Sequence, residues 1–254
     1  MNFVRFRERD HIAYGIVSDG EVEEISATPF LPYEPTGITH ELGDVKILAP
    51  CLPSKIVAIG VNYRDHAKEM GREPPEDPMF FYKPSTAVIG PGDEIVRPPS
   101  CELLHFEGEL AVVIGSVARH VPKSRWQEVV LGYTCAMDIT ARDLQNKDLQ
   151  WGRAKGFDTS APLGPWITTD IDPSNLELVT TVNSEVRQDS NTEQLIFDIP
   201  ALVEFVSSYI TLLPGDVIMT GTPSGVGELT EGDKIEVAIE DIGTLAATVR
   251  GSHV

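Results

Sequence analysis

The chain has 254 residues, 41% of them hydrophobic, and a formal net charge of -19. Its length suits one large domain or a main domain with a small appendage, and its acidity argues against nucleic acid and anionic lipid, both of which recruit Lys and Arg. No apolar run approaches the ~18 residues that span a bilayer, and the first ten residues lack the apolar core of a signal peptide, so a cytoplasmic protein without nucleic-acid or membrane partners is expected. Cys51, Cys101 and Cys135 form an odd, scattered set with no Cys-x-x-Cys spacing. They read as reduced thiols rather than as a disulfide framework or a thiolate metal site.

In chain order, residues 1–53 read as a small β-rich N-terminal domain. Phe3–Phe6, Ile12–Val17 and Glu21–Ile25 are strand-like runs, and Ser18-Asp-Gly20 is a turn signal. Pro29, Pro32, Pro35 and Gly37 break the pattern before a further strand at Val45–Leu48. Residues 54–254 read as the main domain. It opens with a buried-strand run at Ile56–Val61, and Asn62 is placed to cap a short helix, Tyr63–Met70, closed by Gly71. Helical segments are expected at Ser124–Leu131, after Thr140, and at Ile199–Tyr209, where apolar residues recur with helical spacing. Lys234–Ile239 and Thr244–Val249 look like a closing hairpin. Strands outnumber helices and do not alternate with them, which predicts a predominantly β fold with a few helices (α+β) and disfavours a Rossmann or barrel plan.

Four constellations carry chemistry. In His105-Phe-Glu-Gly-Glu-Leu110 the alternation of a strand puts Glu107 and Glu109 on one face, with Gly108 on the other. Leu110, Val112 and Ile114 continue that other face as core. Two adjacent carboxylates repel, more so when buried, and a hard cation between them removes the conflict. On this spacing alone a solvated strand face is favoured, by roughly two to one. Leu131–Asp138 is an apolar run ending in an acid, which makes Asp138 either a third ligand or a helix cap. His66 and Glu69 stand at i, i+3, so the carboxylate can orient the imidazole as a base, with Asp65 as a competing partner. Met219–Gly227 is a Gly-rich loop after a strand-like run. Such a loop can present N–H groups to an anion, but it is neither a P-loop nor a dinucleotide fingerprint.

Together these pieces resemble the fumarylacetoacetate hydrolase family. The resemblance runs from Lys55 to about Gly251 through six motifs in one order: Ile59–His66, Phe80-Phe-Tyr-Lys-Pro84, His105–Leu110, Met137–Asp143, Ala154–Asp158 and Thr220–Gly227. It implies a mixed β-sandwich roll, a homodimer, and Mg2+ or Mn2+ held by Glu107, Glu109 and Asp138. It casts His66 and Glu69 as a water-activating pair, with Lys155 as a further catalytic group. Arg142, Gln145 and Thr220 are placed at the substrate, and Lys83 matches without an obvious role. The short N-terminal domain resembles the small acylpyruvase-like bacterial members. The expected substrate is a 2-oxo acid reacting through a metal-stabilised enolate. Hydrolysis of an acylpyruvate C–C bond is favoured, with oxaloacetate decarboxylation as a second activity. The alternatives are isomerisation or decarboxylation of a 2-hydroxyhepta-2,4-diene-1,7-dioate-type compound and, in another class, a non-catalytic metal-binding β protein.

Overall fold

The computed structural model describes residues 1–71 and 73–252. It is mostly strand, at 45%, against 17% helix, which makes the fold predominantly β with a few short helices, as expected. The largest sheet has 12 strands. Its centre is Ala161–Thr168, Val130–Met137, Gly108–Ile114, Val217–Met219 and Lys55–Gly60, and Met79–Pro84 forms one edge. Asn2–Glu8 pairs antiparallel with Ala161–Thr168 and thereby joins the N-terminal strands to this sheet. A five-stranded sheet, with Glu177–Val182, Lys234–Ile239 and Gly243–Arg250 at its centre, packs against one face.

The central strands are apolar on both faces because both are covered. Leu110, Val112 and Ile114 pack with Leu178, Val237 and Leu245 of the second sheet, and with Leu202 and Val206 of the helix Ile199–Tyr209. Asp198 caps that helix by accepting from Ala201 N–H at 2.9 Å. Ala111 and Val113 point the other way, into a cluster with Ile56, Ala136, Leu163 and Met219.

Three expectations are corrected. The Ser124–Leu131 helix is a 3-10 segment, Lys123–Glu128, and Val130 already belongs to the strand Val130–Met137; the run from Val129 into an apolar alternation pairs with Gly108–Ile114 instead. The Pro- and Gly-broken stretch contains a strand, Pro35–Glu41, at the outer edge of the sheet, where a Pro at the first position costs no ladder bond. Asn62 does not cap the next helix, which runs Arg64–Glu69 from Tyr63 with no side-chain cap bond. Its amide is used elsewhere: it accepts from Phe197 N–H at 2.8 Å and donates to the Thr220 carbonyl at 2.8 Å.

At Gly108 the two sheets come into close contact. A Cβ there would stand 2.2 Å from Thr180 Oγ1 and 3.0 Å from Gln188 Oε1. The face that Gly108 leaves bare is thus filled by the second sheet. Gly108→Ala is expected to cost about 1–3 kcal/mol by overpacking, read as a lower midpoint in urea unfolding. An unchanged midpoint would show that the sheets yield at this point.

Candidate active site

Strand register assembles the site. Glu107 and Glu109 share the face of Ala111 and Val113, and Asp138 follows Ala136 on the neighbouring strand, with Asp138 N–H bonded to the Glu107 carbonyl at 2.8 Å. Across the sheet Lys83 pairs with Ile56 and Phe81 with Ala58, so both side chains arrive on this same face. Glu107, Glu109 and Asp138 are 7%, 1% and 1% exposed. The solvated-face reading is therefore wrong, because the sheet face continues into a packed cluster. Asp138 is not a helix cap either: the helix that follows, Arg142–Lys147, starts from Ala141.

Three cations answer the three acids unevenly. Lys155 Nζ lies 2.8 Å from Glu107 and 2.6 Å from Asp138. Arg142 donates to Glu107 and to Gln145. Lys83, fully buried, lies 2.8 Å from Asp138 Oδ1 and also donates to the carbonyls of Lys155 and Ser160. Burial alone would raise the pKa of Glu107, but Lys155 and Arg142 hold it well below the carboxylate range. Lys155 is raised despite burial, by Asp138 and Glu107, and Lys83 is lowered, chiefly by burial. Among the described residues Glu109 forms no ion pair, and Lys155 acts on it only from a distance. Glu109 accepts one N–H, from Gly221 at 2.7 Å. Burial first, then Asp138 and Glu107, push its pKa well above the usual value.

A divalent cation fits this arrangement. Ligand oxygens of Glu107, Glu109 and Asp138 all lie within 4.8 Å of one another. Asp138 Oδ1 is buried and faces Lys83 Nζ at 2.8 Å without a well-formed hydrogen bond, and among the described residues Glu109 has no ion-pair partner. An all-oxygen donor set suits a hard ion.

His66 and Glu69 stand on the helix Arg64–Glu69. His66 Nδ1 lies 3.0 Å from Glu69 Oε2, and Nε2 has no partner among the described residues. Asp65 is not the partner of the ring. Its carboxylate accepts from the His66 backbone N–H and from the hydroxyls of Ser190 and Ser224. The Gly-rich loop does present N–H groups to anions, but to the protein's own: Gly221 to Glu109 and Gly225 to Glu69.

A cavity of about 350 Å³ brings these groups together. His66, Glu107, Arg142, Gln145 and Lys155 all line it. Thr220 does not: its hydroxyl donates to the Leu110 carbonyl at 2.9 Å, and Thr222, two residues on, meets the cavity instead. The loop's spacing gave no means of choosing between the two. Phe81, Met79 and Trp151 form an apolar wall, of which the motif Phe80–Pro84 contained only Phe81, without marking it. Lys83 was matched without a role, and the structure supplies one, as the tether of Asp138 and of the Lys155 backbone.

The chain was compared with known proteins. Residues 55–250 match the family described as Fumarylacetoacetate (FAA) hydrolase C-terminal, and residues 1–50 match Rv2993c-like, N-terminal. The chain belongs to the fumarylacetoacetate hydrolase family. Members of that family are enzymes, and so is this chain; the non-catalytic alternative is set aside. Protein Rv2993c of Mycobacterium tuberculosis is 47% identical over 98% of each chain. Human mitochondrial oxaloacetate tautomerase FAHD2B is 41% identical over 80% of this chain and 68% of its own. Among structures of the fumarylacetoacetate hydrolase fold, 5-carboxymethyl-2-hydroxymuconate delta-isomerase from Mycobacterium smegmatis superposes with a TM-score of 0.94 at 48% identity, covering 99% of this chain and 100% of that one. Maleylpyruvate hydrolase from Sphingobium sp. SYK-6, in complex with manganese (II) and pyruvate, gives 0.83 at 32% identity, covering all of both chains.

The Glu109 shift has a measurable consequence. A folded-state pKa above the unfolded one stabilises the fold below the unfolded value, and that stability is lost as pH rises towards the folded value. A metal that needs the carboxylate ionised must displace this proton. Mn2+ is therefore expected to raise the melting temperature more at about pH 8 than at about pH 5.5, read by thermal unfolding with and without the ion. Equal shifts at both values would show that Glu109 is already ionised without metal.

Proposed function

We propose that this fumarylacetoacetate hydrolase family member cleaves the C–C bond of an acylpyruvate-type 2-oxo acid, using Mg2+ or Mn2+ held by Glu107, Glu109 and Asp138. The observation that carries this reading is the His66–Glu69 pair on the rim of the cavity that also holds Lys155 and Arg142. The ion supplies Lewis-acid polarisation of a 2-oxo carboxylate. Glu69, on Nδ1, fixes the tautomer of His66 that leaves Nε2 as the base. His66 takes a proton from water as the water oxygen bonds to the acyl carbonyl carbon. The bond between that carbon and the pyruvoyl methylene then breaks, and its electron pair becomes the pyruvate enolate. Lys155 and Arg142 place positive charge where this negative charge develops. Protonation of the methylene carbon gives pyruvate, and the acyl group leaves as a carboxylate. Oxaloacetate decarboxylation shares the enolate and needs no water at His66. Homodimeric assembly, implied by the family resemblance, and cytoplasmic residence, expected from the sequence, belong to the same proposal.

A second reading is isomerisation of a hydroxydiene dioate or tautomerisation of a 2-oxo acid, favoured by the 0.94 TM-score to the muconate isomerase and by the tautomerase relative. It uses His66 only to relay a proton. The two readings separate in one panel of acylpyruvates, oxaloacetate and the diene dioate, with pyruvate release and the diene absorbance both followed. Pyruvate from the acylpyruvates is expected. Conversion of the dioate alone would reverse the order of the two readings. His66→Ala is expected to keep the fold and Mn2+ affinity and to lower hydrolysis about 10²–10⁴-fold. Full activity in that variant would remove His66 from the mechanism.

A further inference from the structure

The two ends of the active-site cavity differ in charge. The cations that line it, Arg142 and Lys155, are held at the acidic centre through Glu107. From there the wall turns apolar in steps: Lys155 Nζ lies 5.2 Å from the Phe81 ring centroid, and the Phe81 ring meets Trp151 edge-on at 5.4 Å. Met79, Phe81 and Trp151 also line a neighbouring groove of about 520 Å³, whose walls include Tyr82, Leu149 and Gln150. Gly60 leaves room at the junction, since a Cβ there would stand 2.7 Å from Met79 Cε. Leu149 is fully exposed, and Met79 and Tyr82 are 42% and 48% exposed. Large apolar side chains held in water beside a cavity mouth mark a binding surface. The cations of the neighbouring segment are already engaged, Lys147 with Asp143 and Arg153 with Asp148. Among the described residues the groove therefore offers apolar surface and no unpaired cation for a second carboxylate.

We propose that this groove is the acyl-tail subsite, and that the substrate's far end is an uncharged, apolar chain rather than a second carboxylate. The inference rests on the 2-oxo acid reading above. It commits substrates long enough to reach the groove to an uncharged tail that runs from Phe81 over Trp151 to Leu149. A terminal carboxylate seated there forfeits the apolar contact that a methyl group makes and meets no unpaired cation among the described residues.

The test separates binding from turnover. Unreactive 2-oxo acids are titrated into the Mn2+-loaded protein by calorimetry: 2-oxobutanoate, 2-oxohexanoate, 2-oxooctanoate, and 2-oxoadipate, which is 2-oxohexanoate with a terminal carboxylate. Affinity is expected to rise about two- to fourfold per methylene and to fall by at least that factor from 2-oxohexanoate to 2-oxoadipate. Leu149→Glu is expected to leave 2-oxobutanoate binding unchanged and to flatten the series. A flat series in the wild type, or 2-oxoadipate binding as well as 2-oxohexanoate, would overturn the subsite. So would a change of molar mass in Leu149→Glu by light scattering, which would show a second copy of the chain covering the groove. Pyruvate release from acetyl- and hexanoylpyruvate, measured in parallel, tests the hydrolase reading by itself. No release with a rising binding series would remove hydrolysis and keep the apolar subsite.

Discussion

Everything at this site follows from placing three carboxylates, on two adjacent strands, at the buried end of one sheet face. Unpaired, such a group is expensive inside a protein, and three together repel. The fold meets the cost with unequal means. Glu107 is given Arg142 and Lys155, Asp138 is given Lys155 and Lys83, and Glu109 is given only the Gly221 N–H. Three cations against three acids would balance if they were spread evenly. They are not, and the deficit falls on Glu109. That asymmetry leaves the centre able to take a further positive charge, which a network with every acid paired would not need.

The second constraint is mechanical. A helix of six residues, Arg64–Glu69, is too short to hold itself together in water. Its position comes from outside. Asp65 takes the hydroxyls of Ser190 and Ser224, Glu69 takes the Gly225 N–H, and Arg64 donates to the Leu195 carbonyl at 2.7 Å. Val61, just before it, sits at φ 48, a conformation that costs a β-branched residue on the order of 1–3 kcal/mol. The strain is held by Asn62, buried and bonded to Phe197 and Thr220. The loop that supports Glu109 through Gly221 is the same one that supports Glu69 through Gly225. Base and carboxylate cluster therefore share one scaffold, and a shift of the loop moves both.

Local pattern carried a good deal of this in advance. Two-residue alternation placed Glu107 and Glu109 together, and i, i+3 spacing placed His66 beside Glu69, because both relations depend only on backbone geometry. What depended on distant chain was not legible. The spacing of Glu107 and Glu109 favoured a solvated face because nothing within the segment shows that the strand lies mid-sheet. Lys83 is far along the chain from Asp138, and only the pairing of Met79–Pro84 with Lys55–Gly60 turns it inward. Thr220 and Thr222 are equivalent in sequence; which of them meets the cavity is set by how the loop crosses Leu110 and Gly108. Asn62 had the composition of a cap, yet a buried amide with three backbone partners satisfies more groups than one helix end requires.

The same charge distribution bears on what the enzyme selects. On the proposed reading a 2-oxo carboxylate brings its negative charge to the acidic centre, where Arg142 and Lys155 already stand. Beyond Phe81 and Trp151 the wall has little to offer but apolar surface and neutral amides. Recognition is then divided along the cavity: electrostatics fixes the reacting end, and burial of carbon grades the other. Such a division gives graded rather than absolute discrimination among neutral tails, because each methylene contributes little. On the proposed reading it also disfavours a charged tail, which forfeits apolar contact and meets no counter-charge there among the described residues. Selection of the tail then lies, on that reading, with the edge strand Met79–Pro84 and residues 149–152, apart from His66 and Glu69.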